Sequence, residues 1–163
     1  MKKLFYLILL FSLPAAAQDY SKAVGLRGGL SSGFTYRKYL EPEIAYEGLL
    51  CFRQGGMQFT IMRQNFRPAM FEFSEDFYFT YGYGAHVGFN YTDNFHIMFH
   101  EYTYYEKRIS PLVGIDGYAG LEYHIPVIPI QVGIDMKPFF EFSIYEIFRL
   151  VPWDLAFTIK YIF

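Results

Sequence analysis

Apolar and polar residues alternate with a period of two along most of this chain, the spacing of strands whose two faces meet different surroundings. At the C-terminus Leu155, Phe157, Ile159, Tyr161 and Phe163 share one face, while Asp154, Ala156, Thr158 and Lys160 share the other. Over 77–89, Phe77, Phe79, Tyr81, Tyr83, Ala85, Val87 and Phe89 oppose Tyr78, Thr80, Gly82, Gly84, His86 and Gly88. Over 112–124, Val113, Ile115, Ala119, Leu121 and Tyr123 oppose Gly114, Asp116, Gly120, Glu122 and His124. Over 130–137, Ile130, Val132, Ile134 and Met136 oppose Gln131, Gly133, Asp135 and Lys137. Three earlier runs behave alike: 24–31 with Arg27 on its polar face, 44–53 with Glu47 and Arg53, and 57–64 with Gln58, Thr60 and Gln64. In 44–53 Leu49 and Cys51 fall on the polar side. Turn-forming residues separate the runs at Glu41-Pro42, Gln54-Gly55-Gly56, Thr92-Asp93-Asn94, Pro126 to Pro129 and Pro152.

These are seven predicted strands. Residues 95–107 alternate less cleanly: Phe95, Ile97 and Phe99 interleave with His96, Met98 and His100, followed by clustered tyrosines. Alternation fits two architectures. A soluble lipocalin-like barrel points its apolar face inward, whereas an outer-membrane barrel points it at lipid. Three features favour the membrane. The polar face is rich in glycine, as a crowded interior requires. The apolar face is nearly free of charge and rich in Tyr and Phe. The charges assigned to the polar face balance, with Arg27, Arg53, Lys137 and Lys160 against Glu47, Asp116, Glu122 and Asp135, and a narrow lumen of low dielectric demands such pairing.

Bacterial single-chain outer-membrane barrels use even strand numbers. Counting 95–107 as a strand gives eight, so the fold class expected is all-β, an eight-stranded antiparallel up-and-down transmembrane β-barrel. On that count both termini are periplasmic. Gln54-Gly55-Gly56, Thr92-Asp93-Asn94 and Pro126 to Pro129 are then periplasmic turns, with outer loops near 38–42, 66–76, 106–111 and 143–153.

The first residues change the cellular setting. Lys2 and Lys3 precede an apolar run from Leu4 to Leu13, then Pro14 and Ala15, Ala16, Ala17. That is the layout of a secretory signal peptide over residues 1–17, leaving 18–163 as the barrel. The apolar run is too short for a spanning helix. Removing Lys2 and Lys3 takes the formal charge from −2 to about −4.

Composition agrees with the pattern. Hydrophobic residues make up 53% of the 163 and aromatics 22%, which excludes a disordered chain. The negative charge argues against a nucleic-acid partner. The single cysteine excludes a disulfide scaffold.

Two resemblances add to this reading. The terminal Phe163, preceded by Tyr161, Ile159, Phe157 and Leu155 at every second place, resembles the signal read by the outer-membrane assembly machinery. Ala23-Val24-Gly25-Leu26-Arg27-Gly28-Gly29 looks like the opening of small outer-membrane β-barrel domain proteins of the Bacteroidota type. So do Tyr81-Gly82-Tyr83-Gly84-Ala85-His86-Val87-Gly88, Gly114-Ile115-Asp116-Gly117 with Gly120-Leu121-Glu122-Tyr123, and Asp135-Met136-Lys137-Pro138. The resemblance implies the fold of eight-stranded surface barrels and an outer-membrane location, and it carries no catalytic residues.

Candidate chemistry is sparse. Gly82, Gly84 and Gly88 do not have the spacing of a dinucleotide loop, and no helix follows. His96 and His100, read on one strand, would stand about 13 Å apart and could not share a metal ion. A Ser/His pair for a lipid-modifying enzyme has one loose candidate, His100 with Ser110. His86 and Ser74 lie at opposite ends of one hairpin arm. Cys51 reads as a packed thiol. The sequence therefore predicts a structural or surface-interaction barrel with no catalysis and no cofactor. Its partners are outer-membrane lipid, the assembly machinery and an unidentified protein or surface ligand at the outer loops. The alternatives are a lipid-A-modifying enzyme and a narrow channel or ligand carrier.

Overall fold

The computed structural model describes residues 21–53, 56–71, 76–97, 100–144 and 148–163, and for 91–108 the backbone alone. The predicted signal peptide lies outside the described residues. Ten strands form one antiparallel sheet: β1 Lys22–Gly29, β2 Ser32–Glu41, β3 Ile44–Arg53, β4 Gly56–Pro68, β5 Phe77–Ile97, β6 His100–Ile125, β7 Ile130–Met136, β8 Phe139–Ser143, β9 Arg149–Val151 and β10 Leu155–Ile162. Each strand pairs with its neighbour in sequence through β7. β7 pairs with β10, and β8 pairs with β9. Lys137-Pro138 interrupts one long stave to give β7 and β8, since proline cannot donate to a ladder. Residues 152–154 interrupt another to give β9 and β10. The sheet closes where β1 meets β10, from Ala23 opposite Ile162 to Gly29 opposite Ala156. The result is a closed barrel of eight staves, as alternation predicted.

Closure is carried to the last residue. The Lys22 amide donates to the Phe163 carbonyl at 3.1 Å, and the Phe163 amide donates back to Lys22 at 2.8 Å. Along the β1–β10 seam the described residues leave no edge open, the usual escape from edge-to-edge aggregation.

The membership of the eight staves differs from the sequence expectation. Residues 32–41, where alternation gave no strand and an outer loop near 38–42, form β2. Its outward face carries Ser32 and Lys38 between Phe34, Tyr36 and Leu40, which dilutes the apolar signal. Residues 95–107 do not form a separate spanning strand. They continue β5 and β6 into one hairpin, with Phe95 opposite Tyr102 and Ile97 opposite His100. These two shifts also correct the sidedness. The barrel end bearing both termini carries the Glu41-Pro42 turn, the β4–β5 connection and the turn at Pro126 to Pro129. The opposite end carries the β1–β2, β3–β4 and β8–β9 connections and the long hairpin. Gly56 and Thr92-Asp93-Asn94 therefore lie away from the termini, and the described residues of the stretches near 38–42 and 66–76 lie beside them, while Gln54 and Gly55 fall outside the described residues.

The faces are inverted relative to a soluble barrel. Val24, Leu26, Phe34, Phe59, Ile61, Val113, Ile115, Phe157 and Ile159 are exposed, and Phe157 keeps 74% of its surface open. Arg27, Arg37, Glu47, Asp116, Glu122, Lys137 and Lys160 are each no more than 3% exposed. Glycine makes room for this interior. A Cβ added at Gly25 would lie 2.6 Å from Lys160 Cγ, and one at Gly114 would lie 2.6 Å from His86 Nε2.

Gly114→Val is therefore expected to lose about 1–3 kcal/mol, since an overpacked interior must shift backbone or abandon rotamers. Gly28, where an added Cβ meets nothing within 4 Å, provides the control, and Gly28→Ala should leave the denaturant midpoint of the refolded barrel unchanged. Equal midpoints for the two variants would contradict the packing described.

Candidate functional site

The lumen is where the chain concentrates its chemistry. Every second residue of each stave points into it, so charged side chains from six staves converge without leaving regular strand geometry. Nearest the termini, Arg37 on β2 is the hub. Its Nε donates to Glu47 Oε2 at 2.7 Å, and Nη1 and Nη2 donate to Glu122 Oε2 and Oε1 at 2.7 and 2.6 Å. The second contact is a two-pronged guanidinium–carboxylate bond across the barrel, the geometry that distinguishes arginine from lysine. Lys160 Nζ donates to Glu47 at 3.2 Å and to Glu122 at 3.1 Å. Thr35 donates to Glu47, and Gln131 to Glu122. The Arg37 guanidinium also lies over the rings of Phe66, at 5.0 Å, and Tyr39, at 5.8 Å.

A second group forms around Arg27. Its Nη2 donates to Asp135 Oδ1 at 2.7 Å, and its Nη1 donates to the Ser31 carbonyl at 2.7 Å and to Asp154 Oδ1 at 3.3 Å. Ser31 donates its hydroxyl to Asp154 as well. Lys137 joins this group to a third, with Nζ 3.6 Å from Asp154 and 3.1 Å from Asp116. In the third group His86 Nδ1 lies 2.7 Å from Asp116 and Nε2 lies 3.7 Å from Glu141, an ion-pair rather than hydrogen-bond distance. Arg53 donates to Glu141 at 2.6 Å and covers the Phe139 ring at 4.6 Å.

The charged groups do not fill the lumen alone. Leu49, Cys51, Met62 and Tyr118 pack together inside it as a small apolar cluster. Leu49 and Cys51 thus break the polar pattern of β3 because they meet one another's neighbours rather than water. Cys51 is fully buried there.

All eight residues expected in the lumen network are inside, and they are distributed over the three groups: Glu47, Glu122 and Lys160 in the first, Arg27 and Asp135 in the second, Arg53, Asp116 and Lys137 in the third. Arg37 is not legible from alternation, because β2 carries no clear period of apolar residues. The network expected from the sequence also omits Glu141, Asp154 and His86. Their parity was available: Lys137, Phe139 and Glu141 keep period two across Pro138, and Asp154 and His86 sit on faces already read as polar. Among the described residues, the buried charges are the cations Arg27, Arg37, Arg53, Lys137 and Lys160 and the carboxylates Glu47, Asp116, Glu122, Asp135, Glu141 and Asp154. The carboxylates exceed the cations by one, and His86 has a carboxylate facing each ring nitrogen.

Leu155, Phe157, Ile159, Tyr161 and Phe163 all face outward along β10 and are exposed. The loose enzyme candidate does not assemble. His100 pairs with Ile97 and Ser110 with Asn90, seven rows apart on β5, or about 23 Å. The Ser110 hydroxyl instead meets that of Ser143. Ser74 lies outside the described residues. His96 and His100 stand on opposite strands of the hairpin in adjacent rows rather than on one strand.

Comparison of the chain with protein-family models, with curated proteins and with solved structures finds no match.

Replacing Arg37 by Leu leaves Glu47 and Glu122 with Lys160 alone, and stranding buried carboxylates costs about 3–5 kcal/mol. Denaturant titration of the refolded barrel should show that loss for Arg37→Leu and a partial recovery when Glu47→Gln is added. Arg67, exposed and 3.7 Å from Glu43, should tolerate Arg67→Gln without a shift. An Arg37→Leu midpoint equal to that of Arg67→Gln would contradict the hub.

Proposed function

We propose that this chain is an integral outer-membrane β-barrel of a Gram-negative cell, with a sealed lumen and a surface-interaction role carried by its long hairpin. The observation that carries the reading is the inversion of the two faces. Soluble monomers rarely expose contiguous apolar patches beyond a few hundred Å², yet apolar side chains here cover the wall on all eight staves. Lipid is the surroundings that such a wall fits, with charged residues confined to the lumen. The expected leader at 1–17 and the terminal Phe163 with its alternating partners support export and delivery to the assembly machinery.

An eight-stranded barrel has an interior that side chains can fill. The three charged groups and the apolar cluster occupy its middle, while a cavity of about 540 Å³ lined by Tyr39, Phe66, Tyr78 and His124 opens at the end bearing the termini; the charged plug beyond that cavity favours a structural barrel over a channel. No catalytic role is proposed, because the buried carboxylates and cations neutralise one another.

The hairpin gives the barrel something to present. β4 pairs with β5 only as far as Phe89, opposite Met57, and β8 pairs with β6 only from Leu112. Beyond these residues β5 and β6 pair with each other, through Asn90–Ile97 and His100–Pro111, with free outer edges among the described residues. The ribbon rises about 25 Å past its neighbours at ~3.3 Å per residue. It leaves the end opposite the termini, which faces outward when the termini are periplasmic. Two free strand edges are a template for strand addition by a protein partner.

Fractionation of cells making the protein, followed by gel electrophoresis of unboiled and boiled samples, tests the reading. The expected result is a band in the outer-membrane fraction whose mobility changes on boiling, retained when residues 94–103 of the hairpin are excised. Recovery in the soluble periplasmic fraction would overturn it.

A further inference from the structure

Among the described residues, one row of the outward wall carries cations without a carboxylate partner. Lys22 on β1 stands directly opposite Lys38 on β2. Lys38 stands opposite Tyr46 on β3, Tyr46 opposite Arg63 on β4, and Arg63 opposite Tyr83 on β5. All five belong to the outward face, in one row across consecutive strands. Residues directly opposite on one face have Cβ atoms about 5 Å apart, and like charges in that position repel. Arg63 lies two strands from Lys38, about 10 Å away at the usual strand spacing. None of the three cations has a carboxylate partner among the described residues. The nearest exposed pair, Arg67 with Glu43, sits further toward the barrel end. Arginine in a lipid-facing wall is costly unless it lies near the interface or finds an anion.

A second feature adjoins the row. One step further into the wall, Gly48 stands opposite Tyr36 on one side and Ile61 on the other. It is an outward position without a side chain, and a Cβ added there would only reach contact with Phe59, at 3.8 Å. The wall is therefore dented directly beside the cations, between aromatic and aliphatic side chains.

We propose that this row is a binding site for the phosphate of a glycerophospholipid in the leaflet nearest the termini, with an acyl chain lying over Gly48. Lys38 and Arg63 hold the phosphate from two sides, Lys22 reaches it from the rim, and the Tyr46 and Tyr83 hydroxyls lie at headgroup depth, where amphipathic rings favour the boundary. The anion relieves the repulsion between Lys22 and Lys38. The inference rests on the membrane reading given above.

The test uses the full chain refolded in non-ionic micelles doped with phosphatidylglycerol or with diacylglycerol, and native mass spectrometry to count retained lipid. Wild type should retain one phosphatidylglycerol per barrel and no diacylglycerol. Lys38→Gln with Arg63→Gln should reduce retention about thirtyfold, the scale of two lost cation contacts at a lipid surface. Gly48→Leu should also reduce it, by filling the dent. Millimolar inorganic phosphate should not displace the lipid; displacement would mean a free-phosphate site and overturn the lipid assignment. A denaturation series guards against misfolded variants. Without anionic lipid, Lys38→Gln should be at least as stable as wild type because a repulsion is gone, and phosphatidylglycerol should reverse that order. Equal retention by wild type and the double variant overturns the site alone when both enter bilayers. A wild-type chain that does not enter bilayers overturns the membrane reading and the site with it.

Discussion

Closure of the sheet between β1 and β10 is the constraint on which the rest of the structure depends. Once closed, every stave must send alternate side chains into a narrow lumen, and the residues between them to the outside. Charge inside is then costly unless paired, and the outer wall is left apolar. The crowding also explains the glycines. Lys160 passes Gly25 and His86 passes Gly114 because a Cβ at either place would collide with them.

The charged groups are arranged as ties between staves distant in sequence. Arg37 connects β2 to β3 and, across the barrel, to β6. Lys160 on β10 grips the same two carboxylates from another side, and Lys137 bridges β6 and the 152–154 break through Asp116 and Asp154. Buried ion pairs contribute little net stability compared with apolar packing, but removing one partner is costly. Such contacts penalise register slips, because a slip of one residue would send every charge of a stave to the apolar outer face. The lumen therefore specifies the barrel more than it stabilises it.

Much of this was legible in the sequence, for a physical reason. Period-two alternation is a property of each strand alone, so 77–89, 112–124, 130–137 and 154–163 declared both faces with correct parity. What was not legible depended on relations between strands. β2 was missed because Lys38, on its outward face, belongs to a cross-strand row of cations that no single strand reveals. Residues 95–107 imitated a spanning strand because a hairpin that outgrows its barrel alternates as any strand does. The count of eight was right while one member was misplaced, and the sides of two turns were exchanged as a result. Arg37, the hub of the lumen, went unseen with β2. Alternation also could not say which face points inward. That depends on closure and on the volume available inside, which the structure supplies.

The account's central claim is that the outer wall lies against hydrocarbon. Phe157 stands on β10, outward and 74% exposed, between Gly28 and Ile134 on the flanking strands. The chain has a single tryptophan, so Trp153→Phe combined with Phe157→Trp moves the only indole onto the outer wall. Its fluorescence in bilayers containing lipids brominated at different depths along the acyl chain measures what the wall touches. The account predicts blue-shifted emission quenched most strongly by deeply placed bromine. Emission at the wavelength of indole in water, unquenched by bromine at any depth in a closed barrel, would contradict it.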